Sequence, residues 1–130
     1  MIFVDANVFM YFVGADHPLR AEALAFFTRA RQSGTRLVTS AEVLQEILHN
    51  YLRRDRRWLL YAAFDLVGRT VDEVWPVEQA DVEMARNLAV QHPGLEARDL
   101  VHLACCLRYK PEELMTFDRG LDAAWRVRRR

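Results

Sequence analysis

Lysine is almost missing from this sequence, and glycine is scarce. The chain has 130 residues, and of its 18 basic residues only Lys110 is a lysine. A response-regulator receiver needs a lysine after a late strand, and Lys110 precedes the last predicted strand. The 5 glycines never approach the spacing of a phosphate-binding P-loop. These absences exclude two common classes of phosphoryl-transfer protein.

Cysteines and long apolar stretches are also few. Cys105 and Cys106 are adjacent and have no other cysteine to pair with, which favours a reducing compartment. The longest apolar stretch, residues 58–64, is far shorter than the roughly twenty residues that a membrane span needs. The N-terminus lacks the basic region of a signal peptide. We therefore expect a cytoplasmic protein without a membrane segment.

The composition is that of one globular domain. Hydrophobic residues make up 52% of the chain and charged residues 28%, which excludes intrinsic disorder. A chain of this length forms one core, so we expect a single domain over residues 1–130. The net charge is zero, but arginines cluster at 53–57 and in a basic tail at 126–130. Each cluster is either a phosphate contact or an ordinary solvated surface.

Apolar runs and turn signals alternate along the chain. Strands are predicted at 2–4, 36–39, 72–77 and 114–117. Helices are predicted at 6–13, 18–32, 41–53, 56–67, 78–91 and 96–109, with a turn or short helix at 118–125. This order predicts an α/β sandwich with a mostly parallel sheet of about four strands. Ligands of such folds bind at the carboxyl ends of the strands, next to Asp5, Ser40 and Asp118.

Acidic residues are predicted to gather at that edge of the sheet. Asp5 and Asp118 each follow a strand, although each could simply cap the next helix. On a helical wheel, Asp99 lies on the same apolar side as Leu103 and Cys106. A buried carboxylate is costly unless it is paired, so Asp99 indicates a nearby cation.

The helical wheel also predicts the directions in which three further polar side chains point. Glu46 lies about 60° from Val43, at the edge of the apolar arc of its helix, whereas Glu42 lies about 100° away. We therefore predict that Glu46 faces the cleft and that Glu42 is an exposed first-turn acid. His102 is predicted to point away from the Asp99 face and to be structural.

A group of four carboxylates needs protons or a hard cation. Two carboxylates about 5 Å apart repel by on the order of 3 kcal/mol at an effective dielectric of about 20. All-oxygen ligands suit Mg²⁺ or Mn²⁺, and the 4 histidines show no zinc-like spacing. The natural chemistry of such a site is metal-assisted attack of water on a phosphodiester.

Four segments resemble the motifs of the PIN-domain nucleases, in the order of that family. They are residues 4–8 (VDANV), 43–47 (VLQEI), 97–104 (ARDLVHLA) and 115–120 (MTFDRG). The compact size resembles the VapC-type toxins of toxin–antitoxin pairs. The resemblance implies a PIN-like three-layer sandwich and a Mg²⁺- or Mn²⁺-dependent endoribonuclease.

The resemblance also implies roles for individual residues and partners. The implied metal ligands are Asp5, Glu46, Asp99 and Asp118. Asn7 and Thr116 fall at positions that orient those carboxylates or the bound water. Asp122 is either a supplementary acid or a cap of the terminal turn. The implied partners are an RNA substrate, a small antitoxin protein and a second copy in a homodimer.

Two other classes of protein share parts of this sequence pattern. A haloacid-dehalogenase opening would require a second aspartate at the position of Asn7. A PIN-fold RNA- or protein-binding module without turnover would be expected to lose metal ligands, and here all four acidic positions are filled.

The helix that contains residues 58–64 is apolar nearly all round. It either packs in the core or presents one face to a second subunit or an antitoxin helix.

Overall fold

The computed structural model describes residues 1–129, which form one parallel sheet flanked by helices. The strands are β1 (Ile2–Val4), β2 (Leu37–Ser40), β3 (Glu73–Trp75) and β4 (Glu113–Met115). The sheet order is β3-β2-β1-β4, and each neighbouring pair is parallel. The predicted α/β fold with a short parallel sheet is therefore confirmed.

Seven helices connect and follow these strands. They are α1 (Ala6–Val13), α2 (Pro18–Ser33), α3 (Ala41–Arg53), α4 (Arg57–Thr70), α5 (Gln79–Gln91), α6 (Ala97–Tyr109) and α7 (Arg119–Arg129). Helix α1 packs against α2, α3 and α4, while α6 packs against α5 and α7. Contacts between α3 and α6 join these two groups of helices.

Local sequence signals account for several helix ends. Helix α2 begins at Pro18, whose fixed φ suits the first helical position, and the His17 ring accepts a hydrogen bond from the Leu19 N–H. The same helix ends at Gly34, which has a φ of 67°. Ser40 caps α3 by accepting the Val43 N–H at 3.3 Å. This cap fixes the start of the helix that carries Glu46.

The core consists of the two central strands and one face of most helices. Phe3, Val4 and Val38 are fully buried in the sheet. Helix α6 is buried on most of its circumference, because every residue from His102 to Cys106 is inaccessible or nearly so. An unbroken buried run of this kind means that α6 packs against neighbours on several sides.

An ion pair between the exposed Arg108 and the buried Asp81 ties α5 to α6. The guanidinium of Arg108 donates two hydrogen bonds to the Asp81 carboxylate, at 2.8 and 2.7 Å. Burial alone would raise the pKa of Asp81, but these hydrogen bonds from Arg108 lower it below its usual value. Arg108 also lies 4.2 Å above the ring of Tyr109, which stacks on Trp75 of β3. The pair therefore fixes α6 relative to both α5 and the sheet.

The structure differs from the sequence prediction at the C-terminus. Instead of a turn or short helix, α7 is an 11-residue helix that continues to Arg129, so most of the basic tail is helical. Arg130 lies outside the described residues.

Helix α4 is buried on one face only. Trp58 and Tyr61 are 68% and 67% exposed, so core packing accounts only for the opposite face. Within residues 1–129, no helix has both the length and the apolar character of a bilayer span.

Candidate metal centre

The register of β1 and β4 brings Asp5 and Thr116 together. Val4 is paired with Met115, so the residues that follow these two strands leave the sheet side by side. The Asp5 N–H donates to the Met115 carbonyl at 2.9 Å. The Thr116 hydroxyl donates to Asp5 Oδ2 at 2.7 Å, and the Ala6 N–H donates to Oδ1 at 2.7 Å. Both oxygens of the Asp5 carboxylate are therefore held in place.

Asn7 connects this aspartate to the segment after β4. Its side-chain amide donates to the Thr116 hydroxyl at 3.2 Å, and its Oδ1 accepts the Phe117 N–H at 3.2 Å. The Thr116 hydroxyl also accepts the Asp118 N–H at 3.0 Å. Asn7 and Thr116 thus orient Asp5 and the backbone of Asp118, the arrangement expected of positioning residues.

Glu46 reaches this edge from α3 and meets a histidine from α6. His102 Nε2 lies 3.0 Å from Glu46 Oε1 and 3.4 Å from Asp5 Oδ1. The His102 ring is fully buried, and the Glu46 side chain is 20% exposed. His102 was predicted to point away from the Asp99 face and to be structural, yet its ring contacts Glu46 and Asp5 of the acidic group. The helical wheel could not assign His102 correctly because α6 is buried on most sides and therefore has no distinct polar face.

Asp99 and Asp118 complete the acidic group around an open cavity of about 380 Å³. Glu46, Asp99 and Asp118 all line this cavity, and Asp99 is half-buried. Asp118 also caps α7, because its Oδ1 accepts the Leu121 N–H at 2.9 Å. The two interpretations of Asp118, as a cap and as a member of the site, are therefore compatible.

The carboxylates influence one another's protonation. Burial, followed by the nearby charges of Asp118 and Asp5, raises the pKa of Asp99 from 3.8 to about 6. Burial also raises the pKa of Asp5, and the Glu46 charge adds to this effect while His102 opposes it. Burial would lower the pKa of His102, but the hydrogen bond with Glu46 and the charge of Asp5 raise it. The site therefore concentrates negative charge that a cation would relieve.

The donor set fits a divalent cation. Ligand atoms of Asp5, Glu46 and His102 lie within 4.8 Å of one another, and this is the one such group in the described part of the chain. Asp99 and Asp118 lie outside this tight group, although they line the same cavity as Glu46. Four of these five donor residues are acids, and carboxylate oxygens suit Mg²⁺ or Mn²⁺.

Glu42 and Asp122 do not line the cavity, whereas Arg98, which the sequence did not single out, does. As predicted, Glu42 lies in the first turn of α3 and does not line the cavity, but it is half-buried where an exposed side chain was expected. The Asp122 carboxylate pairs with Arg126 at 2.9 Å on α7 and contributes nothing to the acidic group. Arg98 borders the cavity next to Asp99. Its position directly before Asp99 in the third motif was the signal that could have identified it.

The profile of the PIN domain matches residues 2–126 of this chain. The chain belongs to the PIN-domain family. Asp5, Glu46, Asp99 and Asp118 of this PIN domain all lie within the matched region.

Similar proteins include named ribonucleases of mycobacteria. Ribonuclease VapC23 of Mycobacterium tuberculosis is 53% identical over 126 residues, which are 97% of this chain and 99% of that protein. VapC ribonuclease Mb1869c of Mycobacterium bovis is 46% identical over 123 residues, which are 95% of this chain and 94% of that protein. Among solved structures, the sarcin-ricin loop cleaving toxin VapC20 of M. tuberculosis superimposes with a TM-score of 0.77. It covers 95% of both chains at 24% identity and therefore shows the shared fold.

Proposed function

We propose that this PIN domain is a Mg²⁺- or Mn²⁺-dependent endoribonuclease and the toxin of a toxin–antitoxin pair. The observation that carries the proposal is the convergence of four carboxylates, those of Asp5, Glu46, Asp99 and Asp118, at one edge of the sheet. The relatives named ribonucleases, which match nearly the whole chain, support RNA as the substrate.

The proposed metal ligands are these same four acids. A divalent ion held there supplies charge neutralisation and an activated water for hydrolysis of a phosphodiester. Asp5 is the most rigid of the four, because Thr116 and the Ala6 N–H fix both of its oxygens. Asp99 has the clearest need for a cation, since its neighbours raise its pKa to about 6.

Arginines near the cavity are suited to binding the RNA backbone. Arg98 borders the cavity itself. Asn50 lines both this cavity and a neighbouring groove of about 730 Å³, which also includes Arg54 and Arg56. Tyr11 lies in the same groove, where its ring could stack on an unpaired base. We propose that a single-stranded segment of RNA follows this groove into the metal centre.

The exposed apolar side chains of α3 and α4 support a protein partner. Leu48, Leu52, Trp58, Tyr61 and Phe64 are 38% to 68% exposed, although each is large and hydrophobic. A concentration of such residues on a small protein indicates an interaction surface. We assign this surface, the α3–α4 face, to a homodimer. The family resemblance adds a small antitoxin protein as the inhibitor, and the proposed site of action is the cytoplasm.

Cleavage of RNA by the purified chain tests the function directly. We expect cleavage that stops with EDTA and returns when Mg²⁺ or Mn²⁺ is added in excess. Since water is the nucleophile, the products should carry 5′-phosphate and 3′-hydroxyl ends. A 2′,3′-cyclic phosphate would mean that the 2′-hydroxyl attacks, and the proposed mechanism would be wrong. Binding of RNA without metal-dependent cleavage would favour the non-catalytic alternative.

A further inference from the structure

His102 is the one member of the tight group at the metal centre that is not acidic. Its ring is fully buried, and the ring of Phe3 lies 5.8 Å away between centroids. The Nε2 atom faces two carboxylate oxygens, at 3.0 Å from Glu46 and 3.4 Å from Asp5. These distances suit either of two roles for Nε2, a metal ligand or a hydrogen-bond donor.

The opposite ring nitrogen distinguishes between these roles. His102 Nδ1 is buried and has no hydrogen-bond partner in the part of the chain that the structure describes. A neutral histidine that ligates a metal through Nε2 must carry its proton on Nδ1, and such ligands almost always donate that proton to an acceptor. Here that N–H would be buried and unsatisfied, which costs free energy.

The donor role avoids this cost and also suits the neighbours of Nε2. With the proton on Nε2, the ring donates to Glu46, and Nδ1 keeps only a lone pair. The reverse arrangement would turn the Nε2 lone pair toward two carboxylate oxygens, which is repulsive.

We infer that His102 is a positioning residue that donates its Nε2 proton to Glu46, draws this carboxylate toward Asp5, and stays outside the metal's coordination sphere. The inference rests on the proposed function and adds a role to it. Glu46 has a long side chain on the second turn of α3, and no other side chain within residues 1–128 donates a hydrogen bond to its carboxylate. The hydrogen bond occupies Oε1, so Oε2 remains available to a cation.

Mn²⁺ binding to the full chain tests this inference without relying on activity. The His102→Leu variant fills a similar volume but lacks the donor, and we expect it to bind Mn²⁺ roughly 10- to 100-fold more weakly. The His102→Gln variant keeps an N–H donor and should recover part of that loss. His49→Leu is the control, since His49 is exposed on α3 and lies outside the metal centre. An unchanged Kd in folded His102→Leu would overturn the inference.

A spectroscopic measurement on the unmodified protein provides a second test. Electron spin-echo spectra of bound Mn²⁺ should lack the strong ¹⁴N coupling of a directly coordinated imidazole. If that coupling is present and disappears in His102→Gln, His102 is a ligand and the inference is wrong. Failure of the wild-type chain to bind Mn²⁺ at all would instead overturn the proposed function, and the inference with it.

Discussion

Glu46 on α3 and His102 on α6 meet at 3.0 Å, although 56 positions separate them in the sequence. Helix α3 directly follows β2, α6 follows α5, and the contact between α3 and α6 joins the two groups of helices. Displacement of either helix would therefore separate Glu46 from its partner. The integrity of the metal centre depends on helix packing as well as on the sheet edge.

The first prediction separates the two acids of α3. Glu46→Gln should abolish RNA cleavage, because it removes a charge that borders the cavity and contacts His102. Glu42→Gln is the matched control on the same helix and should leave most of the activity. Initial rates with one RNA substrate at saturating Mg²⁺ measure the difference. Equal losses in both variants would contradict the assignment of Glu46.

The second prediction concerns the stability of the metal-free protein. The pKa of Asp99 is raised from 3.8 to about 6, so the folded state holds this proton more tightly than the unfolded state. The raised pKa therefore costs stability as pH rises from about 4 to about 6, and the cost is constant above that range. Asp99→Asn should remove about 1–2 kcal/mol of this cost at pH 7, since solvent screens part of the interaction at a half-buried group.

Thermal melts in EDTA measure this effect. At pH 7 the Asp99→Asn variant should melt higher than the wild type, and the difference should vanish near pH 3.5. Saturating Mg²⁺ should stabilise the wild type by mass action, by about 2.7 kcal/mol at one hundred times Kd, and the variant much less. A lower melting temperature for metal-free Asp99→Asn would show that Asp99 has a structural role.

The third prediction compares the two arginine clusters. Arg54 and Arg56 line the groove beside the metal centre, whereas Arg126 is paired with Asp122 and Arg128 contacts His92. Replacing Arg54 and Arg56 by alanine should reduce the slope of log K against log salt by about 0.7 for each lost phosphate contact on single-stranded RNA. The same change at Arg126 and Arg128 should leave the slope nearly unchanged. The opposite result would assign RNA binding to the C-terminal cluster.

The fourth prediction concerns Arg98 at the edge of the cavity. Arg98→Ala should weaken RNA binding and slow cleavage, because a cation beside the metal centre stabilises the negative charge of the phosphate. Arg98→Lys should recover part of the loss. Arg86→Ala serves as the control, since Arg86 is exposed on α5 and lies outside the cavity. Steady-state kinetics at low salt would show whether KM, kcat or both change.

The fifth prediction tests the α3–α4 face. Trp58→Glu combined with Tyr61→Glu should convert a dimer to a monomer, because the two side chains are 68% and 67% exposed and charge there opposes apolar contact. Light scattering of both proteins at the same concentration measures the mass. Val90→Glu is the control, as Val90 is 84% exposed on α5. A monomeric wild type would overturn the homodimer proposal.

Local sequence signals account for most of the fold. The segments β1, α1 and α3 occur where the pattern predicts them, because each begins or ends at a strong signal such as Asp5, Gly14 or Ser40. The length of helix α7 was underestimated, since its arginine-rich second half resembles a solvated tail. Leu121, Ala124 and Trp125 bury one face of that helix, and packing of this face stabilises it.

The acidic members of the site were easier to predict than its histidine. Asp5 and Asp118 follow strands, so parallel topology alone places them at one edge. His102 lies in the middle of a helix that is buried on most sides. The direction of its side chain relative to the site depends on how α3 and α6 pack. Such a tertiary contact leaves no periodic trace in one sequence.

The burial of Cys105 and Cys106 has a practical consequence for experiments on this chain. Burial is the main cause that raises the pKa of Cys105 to about 12 and that of Cys106 well above its usual value. Thiolate is the reactive form, so maleimide dyes at neutral pH should leave both native thiols unmodified. A single Val90→Cys substitution would then accept one fluorophore, and RNA or partner binding could be followed by fluorescence without removing either native cysteine.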